Sequence, residues 1–369
     1  MLSRIQIPES ESSSKVNVSI IDNGSFITGM KGSDYMSPAL PGYETFDGPV
    51  YVFLLHHEST DTRLLFDLGI RVDWQTAYPP AWLKMMQEMG MRYHVERELS
   101  DVLREHGGIS PSDIDAIIFS HHHDDHTGDT SKFPSARIVV GPGYKEAYLP
   151  GYPADPESID TTTDLYEGRE VIELDFSRVE DPRICTVGGF RAYDYFSDGS
   201  FYLLSTPGHT VGHLSALVRT TGSNDQESGT FMFLGGDIVS SNGVFRPSAG
   251  RPLPDQVPTE HGSCPGELLA TLHRHYAADR GKTRITPFCD VAGEEDRAES
   301  QRNTDKLTAF DEEEDVFVVW AHDLHLRDVV DFFPARANDW KKKGWKQKAH
   351  WRWLGPCVKA VKANLSEEH

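Results

Sequence analysis

The chain has 369 residues, and its 36 Lys and Arg against 57 Asp and Glu leave a formal net charge of −21. Such a balance repels polyanions, so nucleic acid is not an expected partner and a small-molecule substrate is. With 38% hydrophobic and 25% charged residues, the composition also excludes an extreme-charge disordered chain and a fibrous repeat.

The stretch from Met1 to Lys15 is polar and rich in Ser and Glu, without the apolar core of a secretory leader. No apolar run reaches the roughly 18 residues that a membrane-spanning helix needs. Cys185, Cys264, Cys289 and Cys357 form no CxxC pair, so neither a disulfide framework nor a thiolate metal site is suggested. A cytoplasmic protein with no membrane partner is the expectation.

Val16 to Ile21, Val50 to Leu55 and Leu64 to Phe66 read as strands, the last running into the turn Asp67-Leu68-Gly69. Between Pro80 and His106 the apolar period changes to that of a helix: Trp82, Met85, Met86 and Met89, then Val95, Leu99, Val102 and Leu103, ending at Gly107-Gly108. Strands are predicted again at Ala116–Phe119, Arg137–Val140, Phe201–Leu204, Leu214–Val218, Thr230–Leu234 and Val316–Trp320. A helix is predicted over Pro265 to Tyr276, and the acidic run Asp311 to Asp315 reads as a solvated loop. This alternation predicts an α/β fold of packed sheets flanked by helices. Residues 1–49 are expected to form an N-terminal extension with the first strand, 50–333 the main domain with a helical insertion at about 78–106, and 334–369 a C-terminal extension. In that extension Trp340, Trp345, Trp351 and Trp353 interleave with lysines, which predicts indoles docked on the body and lysines facing outward.

The segment that carries chemistry is Phe119-Ser120-His121-His122-His123-Asp124-Asp125-His126-Thr127-Gly128-Asp129. It follows an apolar run suited to a buried strand, so its imidazoles are delivered at a strand end. His121 and His123 alternate by two and can face the same way, with Asp125 and His126 turned toward a second metal; His122 faces away. Further His and Asp residues follow strand-like runs at His209, Asp237 and His322. Imidazole and carboxylate without thiolate suit Zn²⁺, with Fe or Mn as alternatives. Two cations sharing a water lower its pKa and hold a hydroxide for metal-assisted hydrolysis, and Asp125 can orient it and carry its proton to the leaving group.

These residues, with Thr206-Pro207-Gly208-His209, Gly235-Gly236-Asp237, Ala321-His322-Asp323 and the turn Phe66-Asp67-Leu68-Gly69, resemble the metallo-β-lactamase superfamily over about Val50 to Phe333. The resemblance implies an αβ/βα sandwich of two mixed sheets with a dinuclear site. It places one metal on His121, His123 and His209, the other on Asp125, His126 and His322, and Asp237 on both; His213 and His325 are the competing histidines off the motif positions. The spacing is most similar to the lactonase-like branch, which contains acyl-homoserine lactonases and fungal enzymes that open lactones or lactams. That implies two Zn²⁺ per chain and the opening of a small cyclic ester or amide, as in detoxification or quorum-signal degradation. A glyoxalase-II-like or polyketide-type thioesterase is the alternative enzyme, and a metal-stabilised binding protein the alternative of another class. One departure stands out: bacterial lactonases of this group often carry a tyrosine soon after the bridging aspartate, whereas here Ile238, Val239, Ser240 and Ser241 follow Asp237. Tyr78, Trp82, Met85, Met86 and Met89 are the candidate pocket residues, forming an adaptable apolar lid; a helix packed on a sheet or at a homodimer interface is the alternative.

Overall fold

A strand with two apolar faces must be covered on both, and the chain achieves this with two six-stranded mixed sheets placed back to back. The structure is a computed structural model and describes residues 5–8, 14–222, 229–259 and 262–367. Residues 1–4 and 9–13 of the polar N-terminal stretch lie outside them. The first sheet runs Asn17–Ile21, Val52–His57, Thr62–Phe66, Ala116–Ile118, Arg137–Val140, Val171–Glu173. Its pairing is antiparallel up to Thr62–Phe66 and parallel thereafter. The second runs Ile184–Val187, Phe190–Asp194, Phe201–Ser205, Leu214–Arg219, Phe231–Leu234, Val316–Val319, with only its last pair parallel.

Alternation along each strand sorts the side chains into layers. Phe66 and Ile118 of the first sheet meet Leu214, Leu234 and Val319 of the second in the central core. Leu65 and Ile117 face the other way, onto Leu99, Val102 and Leu103 of the helix Leu99–Gly107. Leu204, Phe233 and Val318 pack outward against Leu307 and Phe310 of the helix Arg297–Glu312. The order is therefore helix, sheet, sheet, helix, the predicted α/β sandwich. Each such side chain contributes roughly 1.5–3 kcal/mol on burial.

Several local expectations need correction. The helical run between Pro80 and His106 is two helices, Pro80–Met89 and Leu99–Gly107, split by the strand Arg92–His94. Gly90, at φ 78°, ends the first helix, and from there Met91 and Tyr93 turn inward while Arg92 and His94 stay exposed, a strand's period of two. This strand pairs with Phe26–Lys31, which also pairs with Thr45–Pro49, a small third sheet that the sequence reading left unassigned.

Of the helix predicted over Pro265 to Tyr276, only Gly266–Ala270 is helical. Pro265 itself ends the hairpin strand Gly262–Pro265, and farther on His273 turns to bond the Thr286 carbonyl. The long helix Arg297–Glu312 was missed because its inner face is largely polar, with Ser300, Asn303 and Thr304 buried. Asp311 is not in a solvated loop: it lies buried at the end of this helix and accepts from Arg246 Nη2 at 2.7 Å.

Trp340, Trp345 and Trp353 are buried against the body, and Trp351 is partly buried. Lys346 does not face outward; it is buried and donates to the carbonyls of Asp311, Glu313 and Val316. Burial pushes its amine down to about 7. Among the described residues no helix is long and apolar enough to cross a membrane.

Candidate metal centre

Four strands end on one edge of the sandwich, and each delivers part of a single cluster. After Ala116–Ile118 the chain passes Ser120 and His121 and enters the one-turn helix Asp124–Thr127. Asp67, just past Thr62–Phe66, fixes this turn: its Oδ1 accepts from the Ser120 backbone N–H at 2.7 Å, and its Oδ2 from Ser120 Oγ at 2.8 Å. His209 follows Phe201–Ser205 through Gly208, where φ is 129° and a Cβ would lie 2.4 Å from the Ser300 nitrogen, so only glycine fits. Asp237 follows Phe231–Leu234, and His322 follows Val316–Val319.

The structure brings all seven expected side chains together. Three sets offer ligand atoms within 4.8 Å of one another: His121, His123 and His209; His121, His126 and Asp237; Asp125, His126 and His322. His121 Nε2 lies 2.8 Å from His123 Nδ1, and His209 Nε2 lies 3.2 Å from the same atom. Asp237 faces both groups, with Oδ2 3.1 Å from His322 Nε2 and 3.7 Å from His209 Nε2. Among the described residues His126 Nε2 and Asp237 Oδ1 are buried and make no hydrogen bond; they lie 3.4 Å apart, with Asp125 Oδ2 3.2 Å from the same nitrogen. Buried polar atoms left open in this way, at the focus of imidazoles and carboxylates, fit a cation.

The far sides of the rings are held as well. His126 Nδ1 lies 2.9 Å from Asp67 Oδ2, His209 Nδ1 2.9 Å from Glu294 Oε2, and His322 Nδ1 2.8 Å from the Pro49 carbonyl oxygen. Such partners fix the tautomer and orientation that a metal-binding ring needs.

The histidines left outside the cluster have other work. His122 Nε2 meets Asp160 Oδ2 at 2.9 Å, and its ring stacks on Tyr148. His213 Nε2 accepts the Asp237 backbone N–H at 3.0 Å, and His325 Nε2 lies 2.8 Å from Tyr43 Oη.

Burial, reinforced by neighbouring imidazoles, holds His121 and His123 well below the ordinary histidine range. At His126 burial acts the same way, but Asp125, Asp237 and Asp67 outweigh it and raise the ring. Burial pushes Asp237 and Asp125 up, yet His322 and His126 beside Asp237, and His126 beside Asp125, hold both carboxyls below their usual value. The carboxylates are thus ionised at neutral pH, the form that binds a cation.

A cavity of about 210 Å³ adjoins the cluster, walled by Phe46, Trp82, Met85, Met89, Met91 and Tyr93. Of the candidate pocket residues, Trp82, Met85 and Met89 line it. Met86 points into the core, and Tyr78 is buried with its hydroxyl on the Asp124 carbonyl.

Sequence reasoning missed Glu294 and Tyr35. Glu294 sits in an acidic stretch indistinguishable from a surface turn, although its side chain is only 1% exposed. Tyr35 lines the cavity with Asp125, Asp237 and His322, and its carbonyl is held by Ser240 Oγ at 2.7 Å. Burial, with Asp125 and Asp237 nearby, raises its phenol. A tyrosine thus reaches the site from the N-terminal segment, although none follows Asp237.

Residues 45–221 match the family model described as the metallo-beta-lactamase superfamily. The chain belongs to this superfamily. It is 38% identical over 362 residues to gamma-lactamase FDB1 of Fusarium pseudograminearum, covering 95% of this chain and 84% of that protein. It is 38% identical over 354 residues to cytochrome P450 monooxygenase mpaDE′ of Penicillium brevicompactum, covering 95% of this chain but 38% of that longer protein. In three dimensions it is similar to a variant of B. thuringiensis AiiA with N-decanoyl-L-homoserine at its active site. There the TM-score is 0.56 at 18% identity, covering 88% of this chain and 100% of the other.

Proposed function

We propose that the chain is a metal-dependent hydrolase that opens a small, mostly apolar cyclic amide or cyclic ester. The observation that carries this reading is the convergence of seven His and Asp side chains, with two buried ligand atoms left open, beside an apolar cavity. His121, His123 and His209 would hold one divalent cation, Asp125, His126 and His322 a second, and Asp237 would touch both. Zinc suits this thiolate-free set first, with Fe or Mn as alternatives. When bound, such a pair supplies the Lewis acidity that activates water and polarises a carbonyl.

The chain's own residues do the rest. Asp125 Oδ2, 3.2 Å from His126 Nε2 and 3.5 Å from His322 Nε2, is ionised and able to take a proton from the attacking water. It then carries that proton to the leaving nitrogen or oxygen of the opened ring. Tyr35 keeps its proton at neutral pH, so its hydroxyl is able to donate a hydrogen bond to a substrate carbonyl in the cavity. Met85, Met89, Met91 and Phe46 exclude water around the ring. The 38% identity to a protein named gamma-lactamase supports the cyclic amide, and the lactonase-type fold the cyclic ester.

The test is metal analysis together with a panel of γ-lactones, acyl-homoserine lactones, benzoxazolinone-type rings, S-lactoylglutathione and an acyl thioester. Close to two transition metals per chain, and ring opening abolished by chelation, are the expected results. Turnover of thioesters alone would transfer the assignment to a thioesterase. A fully active preparation without metal would overturn the reading.

A further inference from the structure

Asp124, between His123 and Asp125, takes no part in the chemistry above, yet it is 1% exposed and its carboxylate is bonded to the insertion. Its Oδ2 accepts the Trp82 indole N–H at 2.7 Å, and its Oδ1 accepts the Tyr93 hydroxyl at 2.8 Å. The Tyr78 hydroxyl donates to its backbone carbonyl at 2.8 Å. All three donors are neutral groups, and all come from residues 78–93, a segment separate in sequence from the histidine motif. Trp82 and Tyr93 are also walls of the cavity.

We infer that Asp124 is a positioning residue that fixes the aromatic wall of the cavity to the ligand motif and thereby sets which ring sizes fit. On the insertion's side the rest of the wall is Met85, Met89 and Met91, whose unbranched side chains repack readily, with Phe46 facing them from another strand. A wall of methionines alone would yield to many shapes. Trp82 and Tyr93, tied to the residue between two ligands, give it one edge at a fixed distance from the reacting carbonyl.

The hydrogen-bond inventory separates this role from an electrostatic one. Asparagine at position 124 can still accept the Trp82 N–H through its oxygen and donate its own N–H to the Tyr93 hydroxyl oxygen, so D124N keeps both ties while removing the charge. Alanine removes both.

Two readouts test the inference. The first, hydrogen exchange over residues 78–93 in metal-loaded protein, needs no substrate; the second is KM against kcat for a monocyclic and a fused bicyclic lactam, and it rests on the ring-opening reading. For D124A, exchange in this segment should rise and the KM of the bicyclic ring increase by roughly tenfold or more, the scale of lost hydrogen bonds to a carboxylate. Metal content and kcat should hold. D124N should follow wild type in both readouts, and W82F and Y93F, each deleting one donor, should fall between.

Equal loss of kcat in D124N and D124A would overturn the inference in favour of a charge effect on the centre. Unchanged exchange in D124A would overturn it outright. Should D124A fail to fold, an unchanged ratio of bicyclic to monocyclic KM in W82F and Y93F does the same. A wild-type protein that opens none of the rings defeats the ring-opening reading alone, because the exchange experiment still decides the tie.

Discussion

The cation cluster and the cavity wall lie side by side, yet they are built on opposite principles. Every side chain of the cluster stands on a segment that follows a buried strand, Asp125 and His126 on the one-turn helix Asp124–Thr127. His126, His209 and His322 are each held from behind by a carboxylate or carbonyl of another segment. The wall stands on a three-stranded sheet, a short helix and flexible methionines, and Met89 is 43% exposed. Under the proposed function, chemistry that depends on close placement would sit on the sandwich, and fit to the substrate would be left to a softer layer. The two regions should therefore fail differently: damage to the cluster should appear in kcat and metal content, and damage to the wall in KM.

The largest effect is expected at Asp125. D125A should lower kcat by about 10²–10⁴-fold, the usual contribution of a positioned acid–base group, and should also weaken one cation position. D125N separates the two, since its amide oxygen can still face the cation but cannot hold the travelling proton. A D125N protein with full metal and full turnover would remove Asp125 from the proton path.

A smaller loss is expected one layer back. Glu294→Gln leaves the shape but removes the carboxylate 2.9 Å from His209 Nδ1. The expected outcome is a loss of roughly 10–100-fold in metal affinity, measured by competition with a chelator, with kcat recovered at saturating metal. An unaltered affinity would show that Glu294 does not orient His209.

The same contrast explains how much could be read from the sequence. Ala116-Ile117-Ile118 followed by His121, His123, Asp125 and His126 is a local signal, because strand and ligands are contiguous. His209, Asp237 and His322 repeat it at other strand ends, so the sheets and the cluster were legible together. Glu294 and Tyr35 were not, because each meets the site through the fold: Glu294 from the loop before Arg297–Glu312, Tyr35 from the connection between the strands Phe26–Lys31 and Met36–Ser37. The interruption of the helical run at Gly90 was hidden because Met86, Met89 and Met91 continue an apolar pattern that serves either period. The helix Arg297–Glu312 was hidden because buried Ser300, Asn303 and Thr304 cut its apolar stripe down to Leu307 and Phe310. In each case the missing information is long-range packing, which no local pattern carries.

On the wall itself, Met85→Ala removes apolar contact without touching a cation ligand. KM for a fused-ring substrate should rise by about tenfold, the lower range for trimming a hydrophobic pocket, with kcat and metal content unchanged. Steady-state kinetics on two ring sizes measures it. A fall in kcat with KM constant would mean that the wall also orients the carbonyl and that the division between the two regions is less sharp.

The smallest effect on turnover is expected at His122, although it lies between two cluster residues. Its ring points away from the centre, stacks on Tyr148 at 3.7 Å between centroids, and meets Asp160 Oδ2 at 2.9 Å. His122→Ala deletes a stacking contact and a buried hydrogen bond, which together cost about 1–3 kcal/mol of stability. The denaturation midpoint should therefore fall while kcat and metal content stay close to wild type. His123→Ala makes the opposite pair, because its Nδ1 stands at the focus of His121 and His209. Turnover and metal content should then collapse with a smaller change in the midpoint once the protein is compared free of metal. Equal losses of turnover at the two positions would mean that the alternation of side chains through the motif is misassigned, and with it the boundary between the cluster and its surroundings.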